Sequence, residues 1–238
     1  MLNVFDIGII LLLVMFFITG FKNGVIRELF ALVGIILVFI LSFALKGIVG
    51  NFLCLILPFF NITGTIEGFS VINILIYQAI GFILVFGILL TIYEFIIKIS
   101  RFIQKLVNLT IILIIPSKIL GGIVSVIKGW IVLFAVFIVL MIPLRNYSIF
   151  TESTMINKIL YNTPILSGYT SNFTSSVEEI YDLGVKVSNK EISTNDANLK
   201  TLDIMLKHKV IDKNTIEKLI NQNKLNDVKN INSVLNKY

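Results

Sequence analysis

Charged and reactive side chains are scarce in this 238-residue sequence. Lysine, arginine, aspartate and glutamate together make up 14% of the residues, whereas about a quarter is typical of soluble domains. The chain has one cysteine, Cys54, and one histidine, His208. A single cysteine excludes an intramolecular disulfide, and no Cys/His spacing typical of a metal site occurs. The sequence also lacks phosphate-binding loops, dinucleotide fingerprints and Ser-His-Asp sets, so we predict no catalytic residue, metal or cofactor.

Apolar residues, by contrast, make up 56% of the chain and give a mean hydropathy of +0.94. The charges are also unevenly distributed: residues 1–145 contain 9 Lys/Arg and 4 Asp/Glu, whereas residues 146–238 contain 11 and 10. This composition excludes a disordered chain and a simple cytosolic enzyme. It predicts an all-α integral membrane protein with a transmembrane domain over residues 1–145 and a polar, partly helical C-terminal tail over residues 146–238.

Four apolar stretches are long enough to cross the roughly 30 Å hydrocarbon layer of a bilayer as helices. They cover residues 4–21, 29–45, 71–97 and 119–143. A fifth apolar run, residues 52–60, is too short to cross, and we predict an interfacial or re-entrant segment there, with an extra span as the alternative. In the tail, the apolar spacing predicts a helix around residues 177–187 and two or three short helices after residue 193, one capped by Asp212 or Asn214.

The distribution of Lys and Arg among the loops predicts the topology. Six of these residues lie in the loops after the first and third spans, whereas the loop after the second span has Lys46 alone, balanced by Glu67. Because basic loops stay in the cytoplasm, this count places both termini outside. The excess of positive charge is therefore a topology signal and does not indicate a nucleic-acid partner.

Two patterns of small residues predict close helix packing. Gly20 and Gly24 lie four residues apart at the end of the first span, where they favour either close helix contact or a tight turn. Gly121, Ser125 and Gly129 recur every four residues in the fourth span. They predict one smooth helix face that packs either inside the chain or between subunits.

Ionisable residues in or beside the spans are candidate functional groups, because a charge in hydrocarbon is costly. Lys128 is the deepest, and no carboxylate obviously shares its depth. It predicts either a side chain that snorkels or forms a structural pair, or contact with a polar pathway or ligand. Asp6 is favoured by the dipole of the first helix. The remaining candidates lie near the cytoplasmic ends of the spans: Arg27, Glu28, Glu94 and Lys118.

Over roughly residues 1–145 the sequence resembles the colicin V production protein (CvpA) family of bacterial membrane proteins. The resemblance rests on Asp6, on the run Gly24-Val-Ile-Arg27-Glu28-Leu29, and on Lys118-Ile-Leu120-Gly121 followed by Lys128-Gly129. The sequence departs from the family where Ser117 replaces an acidic residue and Ser125 replaces a common glycine. The resemblance implies a multi-pass inner-membrane protein connected with production or export of a peptide toxin and with envelope or biofilm physiology.

We therefore predict a non-enzymatic protein of the bacterial cell membrane that assists toxin (bacteriocin) production or export. Its expected partners are the lipid bilayer and either a second copy of the chain or other membrane or envelope proteins. One alternative is a small oligomeric channel or transporter whose polar path uses Lys128, Gln78, Asp6 and Glu94. Another is a membrane anchor that presents the helical tail to a soluble partner.

Overall fold

The computed structural model describes residues 3–60, 69–106 and 114–238, and within these ranges every regular element is an α-helix. Four helices are long: α1 (Val4–Asn23), α2 (Val25–Ile56), α3 (Ile72–Leu106) and α4 (Ile114–Leu144). Each contains a segment long and apolar enough to cross a membrane. Six shorter helices follow: α5 (Ser148–Thr151), α6 (Thr154–Asn162), α7 (Leu166–Ser188), α8 (Thr194–Lys207), α9 (Lys213–Asn221) and α10 (Asn232–Leu235). The predicted all-α membrane fold with four spanning helices is confirmed.

Some helix bounds differ from the prediction. Residues 52–56 continue α2, so residues 52–60 do not form a separate interfacial or re-entrant element. Helix α2 ends at Ile56, two residues before Pro58, because proline lacks an N–H and has a fixed φ angle. Helix α7 begins at Leu166 and is thus longer than predicted, because Thr170 and Phe173 extend its buried face. Glu67, used in the topology count, lies outside the described residues.

The chain divides into two compact units. Unit 1 contains Met1–Ser42 and Phe86–Gly168, and unit 2 contains Phe43–Val85 and Tyr169–Tyr238. Helices α2 and α3 contribute to both.

Unit 1 is built on the antiparallel packing of α1 and α4. Ser117 lies beside Gly24 and Gly129 lies beside Phe16, so the numbering rises along α4 as it falls along α1. Phe39 of α2 and Phe134 of α4 are fully buried and meet edge to face at 5.3 Å between ring centroids. The short helices α5 and α6 also contact α1.

Unit 2 contains the second half of α2, the first half of α3 and most of the C-terminal helices. Helices α2 and α3 cross closely at Gly81, where an added Cβ would lie 2.7 Å from the Gly50 nitrogen. The core includes buried side chains from α2, from α3 and the residues just before it, and from the C-terminal helices: Cys54, Phe69, Tyr77, Ile180, Met205 and Ile216. The C-terminal helices of this unit therefore share a core with the ends of two membrane helices.

Candidate functional site

Gly20 and Gly24 play different structural parts. Gly24 ends α1 with a φ of +82°, a backbone conformation that favours glycine, and so provides the turn into α2. Gly20 lies inside α1 and faces α4. An added Cβ on Gly121 would lie 2.6 Å from the Gly20 carbonyl oxygen, so the two backbones are in direct contact. The same Cβ would lie 2.7 Å from the Gly24 carbonyl carbon, so Gly24 both forms the turn and shares the close contact with α4.

The small-residue stripe of α4 faces α1 within the same chain. Ser125 is fully buried and lies where a side chain on Gly20 would go. An added Cβ on Gly129 would lie 2.6 Å from the Phe16 ring. These small residues let α1 and α4 approach closely without relying on a hydrophobic force, which is weak between helices in lipid. Because α1 covers the stripe, it is not available as a contact between subunits.

Helices α2 and α4 are joined by an ion pair. The Lys128 ammonium lies 2.5 Å from a Glu28 carboxylate oxygen, and the side chains are 18% and 1% exposed, respectively. The Asn23 side-chain amide donates to the other Glu28 oxygen at 2.6 Å. The expectation that no carboxylate shares the depth of Lys128 is therefore wrong. Side chains on a helix point toward its N-terminus, and the long lysine stem thus reaches down to Glu28.

Two further side chains complete the surroundings of this pair. The Ser125 hydroxyl is buried near the Glu28 carboxylate without a hydrogen bond of normal geometry, and the Phe16 ring centroid lies 5.9 Å from the Lys128 nitrogen. A buried ion pair of this kind has no net charge, and its hydrogen bonds offset part of the cost of removing both charges from water. The structure thus links the glycine stripe and the charge pair into one site at the α1–α2–α4 junction.

Asp6 belongs to a second, separate cluster in unit 1. Its carboxylate accepts hydrogen bonds from the Asn3 and Met155 backbone N–H groups, both at 2.9 Å, and from the Ser153 hydroxyl at 2.6 Å. Ser153 is the N-cap of α6. The buried carboxylate therefore sits at the N-termini of two helices, where both dipoles favour a negative charge. Ser153 was not singled out in the sequence, since no local pattern links it to a residue 147 positions away.

The other predicted residues lie apart from both clusters. Arg27, Glu94 and Lys118 are all exposed. Their positions near the ends of the spans suit anchoring at the membrane interface, where a charge costs little. Among the described residues, no group of three or more His, Cys, Asp or Glu side chains is arranged to hold a metal ion.

Unit 2 contains a series of side-chain hydrogen bonds that the sequence does not predict. The Gln78 amide donates to the Asn51 side-chain oxygen at 2.7 Å, and the Asn51 amide donates to Asp212 at 2.8 Å. Asp212 is also the N-cap of α9, for which the sequence predicts either Asp212 or Asn214. Gln78 belongs to the polar path of the channel alternative. Asn51 lies between the predicted span 29–45 and the predicted segment 52–60, so the sequence gives no reason to pair it with Gln78.

Two lysines of unit 2 have defined partners: Lys224 bonds to backbone carbonyls and Lys46 lies over aromatic rings. The Lys224 ammonium donates to the carbonyl oxygens of Cys54, Leu55 and Leu57 at 2.6–2.9 Å, which caps the C-terminus of α2. Burial lowers the pKa of Lys224. Lys46 is buried, with its ammonium 4.6 and 4.7 Å from the ring centroids of two phenylalanines, Phe43 and Phe173.

A family model described as "Colicin V production protein" matches residues 5–164, more than half of the chain. The match extends past residue 145 to the end of α6 and so contains the Glu28–Lys128 pair and both ends of the contact between Asp6 and Ser153. No curated protein and no solved structure matches the chain. Together with the four apolar helices, the match identifies a bacterial membrane protein. The chain therefore belongs to the colicin V production protein (CvpA) family.

Proposed function

We propose that this protein is a non-enzymatic component of the bacterial inner membrane that assists production or export of a secreted peptide toxin, and envelope or biofilm physiology more broadly. The family description names colicin V production. The Glu28–Lys128 pair supports a structural role most directly, because its two charges neutralise each other inside the chain. Asp6 is likewise bonded within unit 1. Neither carboxylate is left available to a substrate.

The outward faces of unit 1 suit partners in the same bilayer. On α1 the exposed large apolar residues recur at helical spacing: Ile7, Leu11, Met15 and Ile18. A similar row on α2 comprises Phe30, Val33, Leu37 and Leu41. Apolar faces of this kind contact lipid, a second copy of the chain or another envelope protein. The glycine and serine stripe already packs against α1, so any such partner binds elsewhere.

Deletion of the gene in its bacterium tests the proposal. Toxin activity is measured separately in the culture supernatant and in washed, lysed cells with a sensitive indicator strain. A role in export predicts lower activity in the supernatant with accumulation in cells, and a role in production predicts a loss in both. The wild-type gene and a Gly8→Ala variant, in which the added Cβ meets nothing within 4 Å, should restore secretion. Unchanged activity in both fractions contradicts the proposal.

The channel alternative is addressed by a separate measurement. Its path was predicted from four residues, of which Lys128 bonds to Glu28, Asp6 bonds to Ser153 and Gln78 bonds to Asn51. Solute flux through purified protein in liposomes would favour a channel if the double variant Glu28→Gln with Lys128→Met, which removes both charges without leaving one unpaired, abolished it. The membrane-anchor alternative is less favoured because Asp212 and Lys224 of the tail bond to α2.

A further inference from the structure

Helix α6 runs back along unit 1 from the end of α4. At its start, the Ser153 hydroxyl and the Met155 N–H donate to Asp6 of α1. At its end, the Trp130 indole N–H donates to the Thr163 hydroxyl at 2.9 Å. Trp130 precedes Leu144, the last residue of α4, by about 21 Å of helix at 1.5 Å per residue. The chain therefore leaves α4 at one end of the span and returns to its middle.

Helix α1 gives an independent measure of the same depth. Phe16 lies opposite Gly129, next to Trp130, and the helix rises about 15 Å between Asp6 and Phe16. The 9 residues of α6 span about 13.5 Å, so the two anchors of α6 agree. Over this interval the outward residues of α1 are apolar, with Leu11 61% and Met15 63% exposed. Helix α6 thus lies at a depth where α1 faces hydrocarbon.

Several polar groups of the turn after α6 are bonded inside the chain. The Thr163 hydroxyl donates to the Ile159 carbonyl at 2.5 Å, and the Ser167 hydroxyl donates to the Thr163 carbonyl at 2.7 Å. The Leu166 N–H donates to the Pro164 carbonyl at 2.7 Å. Non-helical backbone is tolerated at membrane depth only where it is bonded inside the protein or lines a water-filled cavity. This turn meets the first condition.

The outward face of α6, however, does not suit hydrocarbon. Lys158 and Asn162 are exposed there, whereas Ile156, Ile159 and Leu160 are buried in unit 1. Polar and charged side chains at membrane depth face water-filled cavities or partners in nearly all membrane proteins. Lysine can snorkel to the interface, but the short side chain of Asn162 has no such reach.

We propose that α6 is a re-entrant helix whose outward face, carrying Lys158 and Asn162, lines a water-filled vestibule. The vestibule opens on the side of the α1 N-terminus and reaches the middle of the membrane near Trp130. Hydrated polar solutes can enter the vestibule to this depth, whereas they cannot enter the hydrocarbon beside the apolar face of α1. This function goes beyond a partner-binding role and does not depend on it.

Cysteine accessibility in the full-length protein tests this proposal, with matched positions on α1 as controls. Lys158 follows Ser153 by as many residues as Leu11 follows Asp6, and Asn162 pairs with Met15 in the same way. Each position is changed to cysteine in a Cys54→Ser background, with Glu152→Cys as the exposed reference. Membranes are treated with a membrane-impermeant, permanently charged methanethiosulfonate reagent, in intact cells and in inverted vesicles.

Cysteines at 158 and 162 should react from the same side as the cysteine at 152, and at least about tenfold faster than those at 11 and 15, because only a hydrated thiol ionises readily. Labelling of all variants with a maleimide after denaturation in SDS shows that each thiol is present. Equal rates within either matched pair overturn the proposal. Labelling at 158 without labelling at 162 also overturns it, because a lysine position near the interface needs no vestibule.

Discussion

Loss of the lysine in the Glu28–Lys128 pair should destabilise the protein strongly. The change Lys128→Met keeps a long apolar stem but leaves the Glu28 carboxylate, only 1% exposed, without its counter-charge. Removing one partner of a buried ion pair costs about 3–5 kcal/mol. Lys128 retains 18% side-chain exposure and Asn23 stays bonded to Glu28, so we expect a loss at or just below the lower limit of this range, about 2–3 kcal/mol.

The double variant Glu28→Gln with Lys128→Met separates the pair from its parts. With both charges removed, no uncompensated charge remains, and the loss should be about 1 kcal/mol or less. The single variant Glu28→Gln completes the cycle, and the loss in the double variant should fall short of the sum of the two single losses by about 2 kcal/mol or more. Lys118→Met serves as the matched control, because Lys118 lies on the same helix and is exposed; it should change stability by less than about 0.5 kcal/mol.

The free energy of unfolding is measured by titration with SDS in mixed micelles. Trp130, the single tryptophan of the chain, lies two residues from Lys128 and provides the fluorescence signal. A Lys128→Met variant that is no less stable than Lys118→Met would refute a stabilising ion pair. A double variant that loses the full sum of the single losses would refute it as well, since the two side chains would then act independently.

Three further changes probe the other contacts. Gly121→Val should cost about 1–3 kcal/mol or more in the same titration, because its side chain would meet the α1 backbone, whereas Gly8→Ala should not lower stability. Asp6→Asn removes charge-assisted hydrogen bonds to α6 and should cost about 1–3 kcal/mol. Lys224→Met removes three bonds to α2 carbonyls; it should speed proteolytic cleavage after α9 several-fold, while the exposed Lys229→Met should not.

The four spans could be predicted because composition alone decides whether a 20-residue segment is stable in hydrocarbon. Their ends could not, as α2 shows. The charge of Lys46 predicts the start of a loop, yet the helix continues to Ile56. The lysine is accommodated between Phe43 and Phe173, and Phe173 lies more than 120 positions away. A charged residue marks the end of a span only when no other part of the fold can surround it.

The candidate site was predictable as a set of residues but not as a set of pairs. Four-residue spacing predicts that Gly121, Ser125 and Gly129 share one face, because that spacing is a property of a single helix, and all three lie against α1. The pairing of Lys128 with Glu28 depends on how α2 and α4 are aligned, and the two residues are 100 positions apart in the sequence. Comparing depths by backbone position also misled, because a lysine ammonium lies well toward the N-terminus from its own Cα.

The location of α6 shows why polar composition cannot place a short helix relative to a membrane. Composition averages over the whole helix, whereas the environment is decided face by face. One face of α6 is apolar and buried, while the other carries Lys158 and Asn162. The same pattern suits a helix on a water-exposed surface and one beside a water-filled cavity inside the bilayer. The two anchors, Asp6–Ser153 and Trp130–Thr163, favour the second case, because they fix both ends of α6 against α1 and α4, which are long and apolar enough to cross a membrane. The depth of a short helix in a membrane protein therefore follows from its long-range contacts. The polarity of its outward face then indicates whether lipid or water lies beside that face.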